Sequence, residues 1–467
     1  MIGLVETAGL QGEPDLEWMR NLAAKIEGRT ATIGVVGLGY VGLPLAIAFA
    51  REFRVVGYDT KAELIRDLQH GKVHVDDVRE SLVNSLVGKS LFPTADEGDL
   101  GACDFIIVSV PTPLSETKEP DLGYVVKAAE AIGRHLRRGQ FVILGSTSYP
   151  GTTRDILVPL LERTSLKSGT DFGVAYCPER IDPGNKRYHI ANTPQVVGGL
   201  DSRCTALAVR LFSSIVSSVV PVSNCEAAEA TKILENIFRA VNIALINEMA
   251  LILDKMNINT WEVVQAASTK PYGFMEFFPG PGIGGHCIPL DPFYMSYRAK
   301  QFGMVARFIE LSGEINEFMR FHAVNMLVEG LVLAGKRVED ASVSVFGLSY
   351  KKNIKDTRES PAKKIIEELH KRGCKLRVYD PVAQRIETAV GIYVTESSVE
   401  DATRDTDAVI LLADHSIFQE LNTLGFERWM REVPVIVDTR NILRPPPPGT
   451  IYLGLGRGRP VTAIQRS

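Results

Sequence analysis

The spacing of apolar residues changes period repeatedly along this chain. Thr32–Val36 is a short, nearly continuous apolar run and predicts a buried strand. Gly37, Leu38, Gly39, Tyr40, Val41 and Gly42 then read as a tight turn, residues 43–51 as a helix, and Arg54–Tyr58 as a second strand. Residues 31–50 are twenty in a row without a charge, the length of a membrane span. Gly34, Gly37, Gly39, Gly42 and Pro44 interrupt them, and the composition turns from strand-like to helix-like at the glycines, so a buried strand-turn-helix is expected instead. Further strands are predicted at 105–110, ending in Pro111, Thr112 and Pro113, and at 141–145, ending in Ser146 and Thr147. Residues 226–256 carry the pattern of one long amphipathic helix without Pro or Gly.

The last third repeats the first in weaker form. Residues 343–350 echo 33–40, the strand ending at Asp380 echoes the one ending at Asp59, and 406–413 echo 103–110. The predicted fold class is therefore α/β: two Rossmann-like, doubly wound parallel-sheet domains joined by a central helical segment containing the long helix. The boundaries expected are an N-terminal extension over 1–28, a first α/β domain over 29–215, the helical segment over 216–334 and a second α/β domain over 335–467, with a stiff proline run at 445–448. A length of 467 residues suits about three domains.

Composition narrows the function classes. A net charge of −4 gives no global attraction to nucleic acid or to an anionic membrane, so neither is an expected partner and any anion must be held locally. The six cysteines are scattered without metal-ligand spacing, so no metal site is predicted, and a reducing, cytoplasmic location is expected. Glu6, Glu13, Asp15 and Glu17 oppose a signal peptide and suggest a surface extension.

The glycine turn is placed for a dinucleotide. A strand precedes it, a helix follows it, and Asp59 stands 22 positions after Gly37, where a carboxylate can accept the ribose hydroxyls while the helix N-terminus holds the pyrophosphate. Thr112 and Thr147 sit at strand ends that line the ligand crevice of such sheets, although each also suits turn formation. On the long helix Lys232 and Asn236 share a face, either as a solvated patch or as functional groups; the apolar neighbours of Asn236 require its amide to find partners. Cys287 follows a stretch containing Gly280, Gly282, Gly284 and Gly285, with Asp291 four residues on; it is either a nucleophile or a packed thiol. In the second unit only Gly347 remains of the three glycines, followed by Lys351, Lys352, Lys355 and Arg358, which suits a different phosphate ligand or a solvated basic loop.

Taken in order, Gly37 to Gly42, Val110 to Pro113, Ser146-Thr147, Cys177-Pro178-Glu179, Lys232 with Asn236, Gly284 to Asp291 and Phe346 to Ser360 resemble the motifs of nucleotide-sugar 6-dehydrogenases of the UDP-glucose/GDP-mannose dehydrogenase family, over about residues 31–441. The resemblance implies a four-electron oxidation of a sugar C6 alcohol to a carboxylate, with NAD as cofactor, a UDP-sugar as substrate and a homodimer or higher homo-oligomer as the assembly. It implies Gly37, Gly39, Tyr40, Val41, Gly42, Asp59, Pro111, Thr112, Ser146, Thr147 and Arg358 as cofactor-binding residues. Cys287 is implied as the nucleophile, Lys232 and Asn236 as stabilisers of oxyanion charge, Glu179 with Thr147 as the water-activating pair, and Asp291 as the group that orders water and holds Lys232. Substrate contacts are implied for Glu179, Lys232, Asn236, Phe278, Gly282, Gly284, Tyr350 and Lys351. His286 is expected to be a substrate or structural residue rather than the base of a Cys-His dyad. Residues 284–294 resemble the branch acting on N-acetylated hexosamines, with UDP-N-acetylglucosamine the first expectation and the mannosamine epimer or UDP-glucose the alternatives. A two-electron hydroxyacid-type dehydrogenase is a more distant alternative. Three departures stand out: Leu64 replaces a basic residue after Asp59, leaving Lys61 or Arg66; Pro271 replaces an arginine lent by a neighbouring subunit; and a late arginine is matched only by Arg440 or Asn441.

Overall fold

The computed structural model describes residues 16–75, 78–115, 117–182, 184–185, 187–285, 287–444, 448–458 and 461–462. Most of the N-terminal extension, His286 and most of the proline run lie outside the described residues. By packing, the chain divides into two compact units, Met1–Glu235 with Phe293–Met304, and Asn236–Pro292 with Val305–Ser467. The central helical segment is shared between them.

The first unit is built on an eight-stranded sheet: β1 (Thr32–Val36), β2 (Arg54–Tyr58), β3 (Leu91–Thr94), β4 (Phe105–Val108), β5 (Phe141–Leu144), β6 (Gly173–Tyr176), β7 (Gln195–Gly199) and β8 (Val219–Pro221), in the order β3-β2-β1-β4-β5-β6-β7-β8. Every pairing is parallel except β6 with β7. Successive residues of the inner strands enter opposite cores: Ile33, Val35 and Val55 join one cluster, Val36, Val56 and Val108 the other. Burial on both faces explains why these strands read as continuous apolar runs rather than alternating ones. Helix α1 (Glu17–Glu27) packs Met19, Leu22 and Ile26 into this unit, and α2 (Gly42–Ala50) follows the glycine turn. The uncharged stretch that is long enough for a membrane span is thus β1, a turn and α2.

The second unit holds a six-stranded sheet: β9 (Ser342–Phe346), β10 (Lys375–Tyr379), β13 (Ala408–Leu411), β14 (Val435–Asp438), β15 (Ile451–Gly454) and β16 (Val461–Thr462), in the order β10-β9-β13-β14-β15-β16. A separate hairpin pairs β11 (Arg385–Thr388) with β12 (Gly391–Val394). One core, with Val343, Val345, Ile410 and Val437, receives Met319, Ala323, Leu327 and Leu331; the other is built on Phe346, Leu411 and Ile436.

Helix α3 (Cys225–Lys255) runs from the first unit into the second, within one residue of the predicted ends. Helix α4 (Asp291–Gln301) begins at the aspartate after the cysteine loop, and α5 (Arg307–Leu333) supplies the face that covers the second sheet. Helix α6 (Pro361–Lys371) starts at a Ser360 cap whose Oγ accepts from Ala362 N at 3.2 Å.

Candidate active site

In the first unit the three turn glycines have three different reasons to lack a side chain. Gly37 has φ +91°, and a Cβ there would lie 2.4 Å from Ser109 O, so it makes the tight turn. A Cβ on Gly42 would lie 1.8 Å from Gly37 O, so it permits the close packing of helix on turn. A Cβ on Gly39 would meet nothing within 4 Å, so the backbone is bare towards open space. These are the roles a pyrophosphate-binding turn requires, with the open space where the phosphates approach the start of α2. Asp59 fixes the turn through one oxygen, which accepts from Leu38 N at 2.9 Å; the other accepts from Lys61 N at 3.0 Å. Lys61 thus adjoins Asp59, whereas Leu64 packs against the core. These residues fit NAD.

The strand ends beside the turn are tied together. Ser146 Oγ accepts from Val110 N at 2.9 Å and donates to Val108 O at 3.4 Å, joining the ends of β4 and β5. Thr112 O accepts from the Tyr294 hydroxyl, Pro111 and Tyr40 are exposed, and Thr147 is half-buried. A small cavity is lined by Val41, Ser109, Gly145, Cys177, Glu179 and Gln195, so the glycine turn and Glu179 border one space. Glu179 Oε1 accepts from Arg180 N at 2.6 Å and Ile181 N at 2.5 Å. Burial nevertheless pushes its carboxyl up, against those bonds and the positive charge of Lys232. A carboxylate of raised affinity for protons is the better proton acceptor. Lys232 is itself buried on α3.

The second unit carries the cysteine loop. Gly280 N donates to Asn247 Oδ1 at 3.0 Å; Asn247 Nδ2 donates to Asn316 Oδ1 at 2.9 Å; Asn316 Nδ2 donates to Ala240 O at 3.0 Å. This amide relay ties the start of the loop to α3 and α5. Phe278 stacks on Trp261 with centroids 5.2 Å apart. Gly282, at φ +113°, packs on Arg320, whose Nη2 donates to Ile283 O at 3.4 Å. A Cβ on Gly284 would lie 2.7 Å from Pro361 Cδ, 2.8 Å from Tyr350 Cβ and 2.9 Å from Glu359 O, so the loop lies directly on the turn after β9. That turn holds half-buried Tyr350 and Lys351. Arg358 grips Asp356 through Nε at 3.0 Å and Nη2 at 2.8 Å.

Cys287 follows, and it is the one exposed cysteine of six. Burial pushes the thiols of Cys103 and Cys204 up to about 12, that of Cys374 to about 11, and those of Cys177 and Cys225 upward as well. Only Cys287 thus combines access with a loop that admits a ligand. Its carbonyl accepts from Asp291 N at 2.8 Å, and Asp291, the residue expected to hold Lys232, accepts from Asn236 Nδ2 at 2.6 Å, both side chains being buried. Asn236 and Asp291 therefore form a hydrogen-bonded pair beside the backbone of Cys287.

The second sheet repeats the dinucleotide turn and then closes it. Gly347, at φ +86°, packs on Ala413, and Asp380 accepts from Leu348 N at 2.7 Å as Asp59 does from Leu38. Asp380 also takes Ser349 N at 3.1 Å, Ser349 Oγ at 3.2 Å and His415 Nε2 at 3.0 Å, and both the Asp380 and His415 side chains are fully buried. No acceptor is left there for a ribose. Of the two late candidates, Arg440 abuts the cysteine loop, since a Cβ on Gly280 would lie 2.6 Å from its Nη1, whereas Asn441 accepts from Arg457.

Sequence reasoning missed Asn247, Arg320 and His415. Asn247 could have been found, because a buried amide in an apolar helix, about three turns beyond Asn236, demands partners. Arg320 and His415 gave no such local signal.

The chain matches the NAD binding domain of the UDP-glucose/GDP-mannose dehydrogenase family over residues 31–216, the family's central domain over 226–318 and its UDP binding domain over 344–445. It is 36% identical over 430 residues to a UDP-N-acetyl-D-mannosamine dehydrogenase of Pyrococcus horikoshii, covering 91% of this chain and 99% of the relative. It is 33% identical over 416 residues to a UDP-N-acetyl-D-glucosamine 6-dehydrogenase of Salmonella typhi, covering 88% and 96%. The solved structure of the Pyrococcus horikoshii UDP-D-ManNAc dehydrogenase superposes with a TM-score of 0.84 over 91% of this chain and 99% of that one. With a dinucleotide turn on the first sheet and its closed counterpart on the second, the chain belongs to the UDP-glucose/GDP-mannose dehydrogenase family and is an NAD-dependent nucleotide-sugar 6-dehydrogenase.

Proposed function

We propose that this enzyme oxidises the C6 alcohol of a UDP-N-acetylhexosamine, UDP-N-acetylglucosamine first, to the uronic acid through a thiohemiacetal and a thioester on Cys287. The observation that carries the reading is the single exposed thiol, set at the end of a glycine loop that lies on the Tyr350–Lys351 turn. NAD, when bound at the first sheet, accepts the hydride released in each of the two oxidations. Between them the Cys287 sulfur adds to the C6 aldehyde, forming a C–S bond and an oxyanion that takes up a proton. Lys232 and Asn236 supply the positive charge and the amide donor for that oxyanion. Loss of the second hydride, with release of the hydroxyl proton, leaves a thioester. Water then adds to its carbonyl, the C–S bond breaks, the sulfur leaves as thiolate, and Glu179, which with Thr147 forms the water-activating pair of this reading, takes a proton from the water.

The N-acetyl branch is supported by the named activities of relatives, which include N-acetylglucosamine, N-acetylmannosamine and N-acetylgalactosaminuronic acid dehydrogenases. UDP-N-acetylmannosamine is the second reading, favoured by the Pyrococcus horikoshii relative. A homodimer is part of the proposal: Phe238, Leu245 and Ile252 on α3, and Phe308, Leu311 and Phe318 on α5, are exposed apolar residues with the three- and seven-residue spacing of helix-pairing seams. Light scattering on the purified protein measures that mass. Six cysteines with no disulfide among them fit a cytoplasmic enzyme.

Supplying NAD and a panel of UDP-sugars and counting NADH per sugar tests the reaction and the substrate together. Two NADH per UDP-N-acetylglucosamine are expected. Cys287→Ala should abolish net acid formation; full oxidation by that variant at the unaltered rate would refute the covalent route.

A further inference from the structure

Among the buried carboxylates outside the steps above is one on the helix that carries Lys232. Glu229, on α3 three residues before Lys232, is fully buried and faces the loop that leaves β5. Its Oε2 accepts from Gly151 N at 2.6 Å; its Oε1 accepts from Thr153 N at 2.8 Å and from Thr153 Oγ1 at 2.7 Å. Thr153 opens a π-helical turn, Thr153–Leu157, that continues as Val158–Leu161. The first N–H groups of that turn have no partner within it, and Glu229 supplies one from another helix. Such π-helical turns are rare and concentrate at functional sites.

This loop begins with Ser146 and Thr147. Ser146 Oγ holds its near end to β4, and the Glu229 carboxylate holds its far end to α3. A second link, from Arg154 Nε to Glu226 Oε1 at 2.5 Å, is largely exposed and therefore contributes little. Fixed at both ends, Thr147 has few positions open to it.

We infer that Glu229 is a positioning residue for the hydrolytic half of the reaction: by clamping Gly151 and Thr153 it sets Thr147 on the same scaffold as Lys232. The inference rests on the reading of Thr147 and Glu179 as the pair that delivers water to the thioester. Loss of the clamp loosens Thr147 and slows the step in which water enters, while the two hydride losses and the formation of the C–S bond proceed. The thioester then accumulates on the enzyme. Glu229→Gln keeps the shape but places an NH2 where one N–H must be accepted, and Thr153→Val removes the hydroxyl donor alone.

The test uses the full chain with NAD and, as probes, UDP-N-acetylglucosamine and UDP-N-acetylmannosamine. Glu229→Gln should lower kcat on the probe that the unaltered enzyme oxidises by about 10- to 100-fold, and Thr153→Val by about 3- to 10-fold, from the loss of one to two hydrogen bonds. KM for both substrates should stay within about threefold, and intact-mass spectrometry of the quenched steady state should show a larger fraction of enzyme carrying the sugar nucleotide on Cys287. Thr153→Ser should restore turnover and remove the adduct. Thr153→Val covers the case in which Glu229→Gln does not fold. A role in folding alone would lower the melting temperature without changing adduct or kcat, and that result overturns the inference, provided Glu179→Gln accumulates adduct under the same conditions. If Glu179→Gln accumulates none, the water-activating reading fails first and the role of Glu229 falls with it.

Discussion

Gly39 and Gly42 stand three residues apart in one turn, and a methyl group should act oppositely at the two. At Gly39 a Cβ would meet nothing within 4 Å, and Gly39 is not among the positive-φ glycines. Alanine there fits the folded backbone and reduces the freedom of the unfolded chain, which is worth about 0.4–1 kcal/mol of added stability. The methyl does, however, enter the space over the start of α2 where the pyrophosphate must approach the backbone. Displacing a phosphate oxygen from one N–H donor removes a charge-assisted hydrogen bond of about 2 kcal/mol, or roughly thirtyfold in the dissociation constant of NAD. At Gly42 the same methyl would lie 1.8 Å from Gly37 O and 2.9 Å from Gly37 C, both backbone atoms that cannot swing away. The helix must shift, at a cost of about 1–3 kcal/mol or more.

The measurement is a pair of titrations and a pair of melts. Calorimetric titration with NAD should give weakened binding for Gly39→Ala, with a melting temperature equal to or above that of the unaltered protein. Gly42→Ala should melt lower, and its loss of NAD affinity should track its loss of structure. If Gly39→Ala binds NAD within about threefold of the unaltered protein, the space above Gly39 is not where the pyrophosphate lies. If it melts as low as Gly42→Ala, the packing described for this turn is wrong.

Other consequences can be checked separately. Asp59 repels a 2′-phosphate, so kcat/KM should favour NAD over NADP, and Asp59→Asn should narrow that ratio; equal efficiency with both cofactors in the unaltered enzyme counts against the assignment. Gly284→Ala would drive a methyl to within 3.0 Å of Pro361, Tyr350 and Glu359, so KM for the UDP-sugar should rise about tenfold while KM for NAD holds, read from initial rates. Burial raises the Glu229 carboxyl from the ordinary 4.5 to about 7, so the folded chain binds its proton more tightly than the unfolded chain does. The resulting stability is fully present below about pH 4.5 and is lost as pH rises to about 7, by at most about 3 kcal/mol. Denaturant melts over that range should show the slope, and Glu229→Gln should flatten it.

What could be read in advance, and what could not, is clearest at the two aspartates that follow β2 and β10. Periodicity and the glycine turns placed Asp59 and Asp380 at corresponding positions, and each indeed accepts from the leucine N–H of its own turn. Those relations are local: a strand, a turn, a helix and the next strand bring acid and turn together within one α/β crossover. The sequence could also show that the second turn had lost two glycines and gained Lys351, Lys352, Lys355 and Arg358, which suited either a different phosphate ligand or a solvated basic loop. It could not show why a dinucleotide is refused there. That depends on His415, which lies beyond β13 and is brought by the sheet order to within 3.0 Å of Asp380. Arg320 and Glu229 escaped as well, since a charged residue on a helix reads as solvated until the fold buries it. A copied α/β unit can thus keep its acid and lose its cofactor. With the Asp380 carboxylate filled by Ser349 and His415, the acid that would have bound a ribose holds rigid the turn that carries Tyr350 and Lys351 against the cysteine loop.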